Sequence, residues 1–416
     1  MSVKKLRDYQ VELSTQAAGI LLDKKIVYLN FSPRVGKTLT ALETCKKVGA
    51  NNVLFITKIK AFSSIKSDYD GFGYQYNLTI INKESIHKID RNDFDFIVAD
   101  EAHGLFATFP KPNNFYKIYK KRFGHLPIIM LSGTMSVESG SQIFHQFQVS
   151  DYSPFRKYTN FYKWAKDFVN VKQKQLGYGL INDYSDCNMI EVNKIIEPYI
   201  LRFTQEQSGF TSTVNKHILD CEMKPVTKTL IDRLLRDSII EGDSEVVIAD
   251  TAVAMQQKVH QLGSGTIKFQ SGNSKTIDDS KAVFIKEYFK GKKIAIIYYY
   301  KEELNMLKEV FKDLITTELD EFNDTDKIYV GQQISSCEGI SLAKAECLVF
   351  LNFGFSGKNF IQAIDRLTLK ERPTNDVYFI FSSVGLDKQV YKSVSKKENY
   401  NNSQFKKDYG NSNSRV

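Results

Sequence analysis

Short, almost continuously apolar runs alternate with longer amphipathic segments along this chain of 416 residues. Runs of this kind are typical of parallel strands that helices cover on both faces of a sheet. They fall in two groups of five, which lie at 26–30, 53–57, 78–82, 94–100 and 128–132, and at 217–221, 294–300, 328–330, 347–352 and 377–382. The pattern predicts an α/β fold with two tandem parallel sheets, each flanked by helices.

Chain length and local composition indicate how these sheets are divided. One hydrophobic core rarely serves more than about 250–300 residues, so we predict a first lobe at 1–150 and a second lobe at 216–392. Residues 151–215, rich in aromatic and basic side chains, are predicted to form a helical insertion between the lobes. This insertion either contacts nucleic acid or covers the first lobe, and its aromatic content favours the cover. The polar tail, 393–416, is predicted to be disordered.

The overall composition excludes several classes of protein. Hydrophobic residues make up 42% of the chain and charged residues 25%, and no run approaches the roughly 18 apolar residues of a membrane span. The amino terminus lacks the apolar core of a signal peptide, so we expect a cytoplasmic protein without a membrane partner. Five scattered cysteines without CxxC spacing argue against a disulfide framework or a zinc site. The net charge of +9 favours a polyanionic partner such as nucleic acid.

The sequence YLNFSPRVGKTLTALE, at 28–43, passes from an apolar run through a turn into a helical pattern. The N–H groups at the start of a helix attract anions, and the helix dipole adds to that attraction. Gly36 would let the backbone approach a phosphate, Lys37 would supply a cation, and the Thr38 hydroxyl can hold Mg²⁺. The strict phosphate-loop pattern requires glycine where this chain has Phe31, and similar turns also occur without any ligand. This motif alone therefore does not decide the function.

An acidic pair follows the apolar run FDFIVA. Asp100 and Glu101 would lie at the carboxyl end of a parallel strand, where such sheets bind ligands. Because two adjacent acids are costly to bury, we predict that Asp100 holds Mg²⁺ through water and that Glu101 polarises an attacking water. The next run, IIMLSGT, ends with the small hydroxyls of Ser132 and Thr134, which are suited to relaying the state of the acids. By itself, SGT is also an ordinary turn.

Taken in order, these elements resemble the motifs of superfamily 2 helicases and translocases. The matching segments are LRDYQ (6–10), SPRVGKT (32–38), ITKIKAF (56–62), DEAH (100–103), LSGT (131–134), SSCEGISL (335–342) and QAIDR (362–366). Within the superfamily the chain looks most like the Swi/Snf-type ATPases and compact bacteriophage-encoded DNA helicases. The segment 196–207 is similar to their link between lobes, and 362–382 to the phage-type ending. The resemblance implies two RecA-like lobes, with ATP and Mg²⁺ as cofactors.

The resemblance also implies a set of nucleotide-binding residues. They are Arg7, Gln10, Pro33, Arg34, Val35, Gly36, Lys37, Thr38, Gly339, Gln362 and Asp365. Gln10 would read the adenine edge, and Arg366 would stabilise the transition state of a hydrolysis that also uses Lys37, Asp100 and Glu101. The family pattern calls for a second arginine at position 369, where this chain has Leu369. Either Arg366 then serves alone, or Lys370 or Arg372 supplies the missing charge.

Coupling and nucleic-acid residues follow from the same resemblance. His103, Ser132 and Thr134 would link hydrolysis to movement of the lobes. Contacts to the nucleic-acid backbone would come from Thr57, Lys58, Lys60, Asn82, Tyr299, Ser335 and Ser336. For each of the lysines, an ordinary solvated surface position explains the sequence equally well.

These observations together predict an ATP-dependent DNA helicase or translocase, monomeric in solution, that acts on single-stranded, duplex or branched DNA. The resemblance suggests fork remodelling, branch migration or unwinding in phage replication or recombination, in the host cytoplasm if the chain is phage-encoded. Two alternatives stay open. An RNA helicase would share every catalytic residue. Given Leu369, the chain could also bind ATP as a switch and clamp nucleic acid without efficient hydrolysis.

Overall fold

A computed structural model describes residues 5–136, 139–176, 179–209, 213–242, 244–333, 342–365, 372–396 and 399–409. The chain divides into two compact units, Met1–Phe210 and Thr211–Val416. Within the described part of the chain, no helix combines the length and the apolar character that a membrane crossing needs.

The first unit is built around a parallel sheet. Its strands are β1 (Ile26–Phe31), β2 (Asn52–Ile56), β3 (Asn77–Ile81), β4 (Phe96–Ala99), β5 (Ile128–Ser132), β6 (Lys172–Leu176), β7 (Gly179–Asp183) and β8 (Ile200–Phe203). Its helices are α1 (Asp8–Lys24), α2 (Lys37–Lys47), α3 (Phe62–Gly71), α4 (Ala102–Phe106), α5 (Asn114–Phe123), α6 (Ile143–Gln148), α7 (Phe161–Phe168) and α8 (Met189–Ile196). Six strands pair in parallel in the order β3-β2-β4-β5-β1-β8, while β6 and β7 form a separate antiparallel hairpin.

Alternate residues of the central strands enter two different cores. In β1, Ile26 and Tyr28 pack into one core, whereas Val27 and Leu29 pack into the other. A strand that is covered on both faces needs apolar residues at every position, because successive side chains point in opposite directions. This requirement explains why the apolar runs of the sequence are continuous rather than alternating.

The aromatic segment after residue 150 belongs to the first unit. Phe155, Phe161 and Trp164 are buried in the same core as Tyr28, and β8 pairs with β1 as the sixth strand of the sheet. The prediction of a helical insertion between the lobes therefore differs from the structure, which shows two helices, a hairpin and an edge strand in this segment. Large aromatic side chains supply much of the buried area of a core, and these residues complete that of the first unit.

The second unit repeats the plan with a second parallel sheet. Its strands are β9 (Thr213–Cys221), β10 (Ile239–Glu241), β11 (Val246–Ile248), β12 (Thr266–Lys268), β13 (Ser274–Thr276), β14 (Ile294–Tyr298), β15 (Ile315–Thr316), β16 (Ile328–Gln332), β17 (Cys347–Phe350) and β18 (Thr374–Ser382). Its described helices are α9 (Pro225–Asp237), α10 (Ala252–Gly263), α11 (Ser280–Tyr288), α12 (Lys301–Phe311), α13 (Leu319–Asp324), α14 (Gly357–Asp365), α15 (Asp387–Val394) and α16 (Asn402–Tyr409). The parallel sheet has the order β15-β16-β14-β17-β18-β9, and the pairs β10–β11 and β12–β13 are antiparallel.

The predicted fold class is confirmed. Each unit is a six-stranded parallel sheet covered by helices on both faces, and in the first unit β5 stands between β1, which leads into the phosphate loop, and β4, which leads into the acidic pair. This is the RecA-like α/β arrangement. All ten predicted apolar runs contribute to strands of the two sheets, whereas the short strands β8 and β15 were not predicted.

The prediction of a disordered tail is wrong for residues 399–409. This stretch forms α16, and Tyr400 and Phe405 are buried in the core of the second unit. Together with Tyr409, which packs against the same core and donates to the Gly385 carbonyl at 2.8 Å, they hold the segment in place. Residues 410–416 lie outside the described part of the chain.

Candidate nucleotide site at the carboxyl edge of the first sheet

The loop after β1 has the backbone conformation of a tight turn into a helix. Gly36 caps α2 with φ of +84°, and Arg34 has φ of +62°. A positive φ is easy for glycine but costs another residue roughly 1–2 kcal/mol. The loop therefore stores strain at Arg34. Such strain is concentrated at functional sites because the surrounding structure must maintain it.

Gln10 lies directly against this loop. It is buried, and a Cβ placed on Gly36 would clash with its Nε2 atom. Its Oε1 accepts the backbone N–H of Arg7 at 2.9 Å, which orients the amide at the start of α1. The Arg7 side chain is exposed and donates to the Tyr9 hydroxyl at 2.9 Å. The motif segments 6–10 and 32–38 are thus in contact, although they are separated in sequence.

Residues at and after the end of β8 also form hydrogen bonds with this loop. The Ser32 N–H donates to the Phe203 carbonyl at 2.9 Å. The Gln205 Nε2 donates to the Pro33 carbonyl at 3.0 Å. The sequence predicts a link between lobes in this segment and has no signal that singles out Gln205. No local pattern identifies a contact between residues 172 positions apart.

Lys37 is the first residue of α2, and its ammonium group is held at the loop. Its Nζ donates to the carbonyls of Phe31 at 3.1 Å and Ser32 at 3.3 Å. A Cβ on Gly133, in the turn after β5, would lie 3.8 Å from this Nζ. Thr38 follows in the first turn of the helix, whereas Val35 is buried in the core. The loop of β1 and the turn of β5 therefore converge around one cation.

Asp100 directly follows β4, and its charge interacts with that of Lys37. Its Oδ2 accepts the Thr57 hydroxyl at 2.7 Å, and its Oδ1 accepts the Glu101 N–H at 3.0 Å. Burial and the charge of Glu101 raise the pKa of Asp100 to about 6, although Thr57 and Lys37 oppose that shift. Hydrogen bonds and a nearby lysine thus compensate the carboxylate only in part.

Glu101 is strained and incompletely satisfied. Its φ is +49°, in the left-handed region. Its Oε2 atom is buried without a hydrogen bond, and lies 3.3 Å from His103 Nδ1. Leaving a buried acceptor without a partner costs roughly 1–3 kcal/mol, so such an atom calls for an explanation.

The coupling candidates are in contact with one another. His103 Nδ1 lies 2.6 Å from the Ser132 hydroxyl oxygen. That oxygen also bonds the backbone of Thr134, whose N–H lies at 3.1 Å and whose carbonyl lies at 2.6 Å. The Thr134 residue itself is exposed. The structure thus joins the acidic segment to the turn after β5.

The predicted nucleic-acid residues have different surroundings. Thr57 is buried, and its hydroxyl donates to Asp100. Lys58 and Lys60 are exposed, and the Asn82 Nδ2 donates to Glu84 at 2.9 Å. In the second unit the Tyr299 ring packs so closely on Gly354 that a Cβ there would clash with it.

Several predicted residues of the second unit lie outside the described residues. These are Ser335, Ser336, Gly339, Arg366 and the side chain of Asp365. The Oε1 atom of Gln362 is buried without a hydrogen bond. The Arg372 guanidinium donates to the carbonyls of Ala345 at 2.8 Å and Ala343 at 3.0 Å, so a structural role already occupies this candidate for the missing charge.

Comparisons with known proteins add one likeness. No family model matches the chain, and no curated protein matches it. The chain is similar to a solved structure of the SWI2/SNF2 ATPase core of Sulfolobus solfataricus in complex with double-stranded DNA. The two are 14% identical, the match covers 95% of this chain and 92% of that chain, and the TM-score is 0.44. A likeness of this degree carries no argument about function, which has to come from the residues of this chain.

Proposed function

We propose that this chain is a DNA-dependent ATPase that binds ATP with Mg²⁺ at the carboxyl edge of β1, β4 and β5 and uses hydrolysis to move on DNA. One observation carries the proposal. A strained loop that ends in Gly36 and Lys37 at a helix start faces two partly buried acids, and one acid, Glu101, has a buried oxygen without a hydrogen bond. Such a constellation is costly for folding alone and suits phosphate and an attacking water.

Each side chain then has a definite task. The N–H groups at the start of α2 and the Lys37 ammonium bind phosphate oxygens, which replace the loop carbonyls that Lys37 now contacts. Gln10, held by Arg7 against Gly36, recognises the base. Glu101 accepts a hydrogen bond from the attacking water and orients it.

The residues present fit a magnesium ion. Asp100 and the Thr38 hydroxyl would hold it, since oxygen ligands are those that Mg²⁺ prefers. A cation at that position would favour the charged form of Asp100, whose pKa burial raises to about 6. When bound, Mg²⁺ would neutralise charge on the phosphate oxygens.

A role for DNA is supported by charge and by one contact. The chain has a net charge of +9, and Lys58 and Lys60 are exposed immediately after Thr57, whose hydroxyl bonds Asp100. Lys58 is adjacent to the residue that bonds Asp100, so a backbone phosphate that binds Lys58 would act close to the acidic pair. The particular reactions predicted above, the phage setting and the monomeric state stay predictions.

The central test is ATP hydrolysis measured with single-stranded, duplex, forked and four-way DNA, and with RNA. We expect stimulation by DNA, and a loss of at least about 100-fold in Lys37→Ala and Glu101→Gln because each removes a group that acts on the reacting phosphate or water. Lys46→Ala, an exposed position on the same helix α2, is the matched control and should hydrolyse normally. Unchanged hydrolysis in both site variants would refute the proposal, and stimulation by RNA alone would select the RNA helicase.

A second test concerns Arg366. If this residue is the transition-state arginine, Arg366→Ala should bind ATP normally but hydrolyse it about 10³-fold more slowly. Lys370→Ala, measured alongside, reports whether that lysine replaces the arginine missing at Leu369. Equal loss of binding and hydrolysis in Arg366→Ala would contradict its assigned role. Normal binding without any hydrolysis in the unaltered chain would select the ATP-gated clamp.

A further inference from the structure

A buried polar chain lies beneath the acidic pair, and it includes two residues that the sequence analysis did not identify. Tyr28 of β1 and Gln146 of α6 are fully buried. The Tyr28 hydroxyl donates to Gln146 Oε1 at 2.8 Å. Gln146 Nε2 donates to the carbonyls of Met135 at 2.6 Å and Gln142 at 3.1 Å. The amide therefore uses its oxygen and both of its hydrogens, which leaves it a single orientation.

The Gln146 amide binds one end of the turn after β5. Met135, whose carbonyl it binds, follows Thr134 directly. At the other end of the turn, the Ser132 hydroxyl oxygen accepts the Thr134 N–H at 3.1 Å. Tyr28 and Gln146 thus hold Met135, and Met135 is adjacent to Thr134, whose backbone binds the Ser132 hydroxyl.

Proton counting then fixes the role of His103. A carbonyl cannot donate, so the contact of 2.6 Å between Ser132 Oγ and the Thr134 carbonyl requires the single hydroxyl hydrogen. His103 Nδ1, at 2.6 Å from the same oxygen, must then carry a hydrogen and donate it to Ser132. The same Nδ1 lies 3.3 Å from Glu101 Oε2. The imidazole N–H lies between two acceptors and is bound by the nearer one.

We propose that Tyr28 and Gln146 are positioning residues for Glu101. By holding the turn, they keep Ser132 as the acceptor of the His103 N–H, so that Glu101 Oε2 stays free to accept a hydrogen bond from the attacking water. If the turn moves away, the His103 N–H turns to Glu101 and occupies that oxygen. This inference rests on the proposed hydrolysis, and it assigns the control of Glu101 to residues on β1 and α6.

The test uses Tyr28→Phe, which removes the hydroxyl and keeps the ring in the core. We expect kcat for ATP hydrolysis to fall about fivefold to tenfold, as for one lost hydrogen bond of about 1 kcal/mol, with KM for ATP unchanged. In a Ser132→Ala background, Tyr28→Phe should have no further effect on kcat, because both changes act through the same turn. Independent, multiplying losses would indicate a general structural effect and would overturn the inference.

A matched control separates positioning from stability. Tyr76 is also a buried tyrosine of the first unit, and its hydroxyl donates to the Leu42 carbonyl at 3.0 Å, away from the acids. Tyr76→Phe should lower the unfolding midpoint about as much as Tyr28→Phe but leave kcat unaltered. A similar fall of kcat in Tyr76→Phe would count against the inference.

A measurement without nucleotide distinguishes this inference from the proposed function. Hydrogen exchange of the Thr134 amide, which Ser132 protects, should accelerate in Tyr28→Phe and stay unchanged in Tyr76→Phe. Unchanged exchange in Tyr28→Phe overturns the inference, whatever the hydrolysis assay shows. If exchange accelerates but the unaltered chain does not hydrolyse ATP, the positioning of the turn is supported and the proposed function is what fails.

Discussion

Both parallel sheets bury charged groups at their carboxyl edges, but the two units compensate them differently. In the second unit, Lys281 Nζ lies 2.6 Å from Asp387 Oδ2 and donates to the Leu351 carbonyl at 3.2 Å. Asp387 also accepts the Ser382 N–H at 2.8 Å. In the first unit, Asp100 keeps a pKa of about 6, raised by burial and by Glu101. The buried charge of Asp387 is paired with a lysine, although its Oδ1 atom has no hydrogen bond, whereas Asp100 lies beside a second acid.

Glu303, another buried acid at the carboxyl edge of the second sheet, is also relevant to this comparison. Its carboxylate accepts the N–H groups of Tyr299 at 2.7 Å and Tyr300 at 3.0 Å, and the side chain of Asn352 at 2.6 Å. Glu101 has a buried oxygen without any hydrogen bond. Burial still raises the pKa of Glu303, but its donors fill both of its oxygens. Glu303 therefore has donors at both of its oxygens, whereas Glu101 lacks one.

Backbone strain is distributed in the same way. Among described residues other than glycine, positive φ angles in the first unit occur at Lys25, which ends α1, and at Arg34 and Glu101, both at the candidate site. In the second unit they occur at Ser238 and Lys312, which end helices α9 and α12. A left-handed residue at a helix end is a common way to stop a helix. Lys25 ends α1 in the same way, whereas Arg34 and Glu101 do not end a helix.

The largest expected effect comes from breaking the ion pair of the second unit. Lys281→Met should destabilise that unit by about 3–5 kcal/mol, because it leaves Asp387 buried without its cation. Lys388→Met is the control, since Lys388 and Asp220 form an exposed pair at 3.2 Å and its loss should cost less than about 1 kcal/mol.

The single tryptophan makes this test specific to one unit. Trp164 is buried in the first unit, so its fluorescence follows that unit, while circular dichroism follows both. In urea, Lys281→Met should shift the transition seen by circular dichroism and leave the midpoint of Trp164 fluorescence in place. A shift of both midpoints would show that the two units unfold together and would weaken the comparison.

The next effect is a loss of stability of the second unit at acidic pH. Burial lowers the pKa of His260 to about 4, and its Nδ1 contacts the Tyr300 hydroxyl at 2.8 Å. Because the unfolded state binds a proton more readily, the stability due to neutral His260 is present above about pH 6.5 and is lost as pH falls toward 4, by about 3 kcal/mol. His260→Gln should flatten this dependence in urea titrations between pH 4 and 7. An equally steep loss in the variant would exclude His260 as its cause.

The smallest of the three effects has the opposite sign and lies in the first unit. The raised pKa of Asp100 means that its contribution to stability is fully present below about pH 4 and is lost as pH rises through about 6. Without nucleotide or metal, Asp100→Asn should therefore stabilise the first unit by about 2 kcal/mol at pH 8 and leave it unchanged at pH 4, as measured by Trp164 fluorescence.

Asp95→Asn provides the matched control for this measurement. Asp95 accepts the backbone N–H groups of Asn51 at 2.7 Å and Asn52 at 3.0 Å, so removing its charge should not stabilise the unit at pH 8. If Asp100→Asn proves destabilising at pH 8, its carboxylate is compensated as fully as that of Glu303. The contrast between the two edges would then disappear.

Much of the architecture could be predicted because its cause is local. A strand buried on both faces needs an unbroken apolar run, and this requirement is visible in any window of five residues. The strand β8 escaped prediction because ILRF is short and mixed, and it becomes a strand only beside β1. The tail escaped for a similar reason, since Tyr400 and Phe405 anchor it only once a core exists to receive them.

The candidate site could be predicted in its motifs but not in its connections. The turn at Gly36 and Lys37 and the acids after β4 have sequence signals because they need special backbone positions. Thr57 was predicted as a contact for nucleic acid, and only the pairing of β2 with β4 shows its hydroxyl on Asp100. Hydroxyls and amides bind whatever the fold brings near them, so their partners cannot be read from neighbours in sequence.

By itself, then, the sequence determined ten of the twelve strands that the structure describes in the two parallel sheets, and the positions of the phosphate-loop and acidic motifs, because periodicity and turn chemistry act over a few residues. Only the tertiary structure decided which polar groups meet. Tyr28 and Gln146 are separated by 118 positions, and Pro33 and Gln205 by 172. Such contacts form when packing excludes water and leaves each buried donor one acceptor within reach, which is a property of the assembled core and not of any segment.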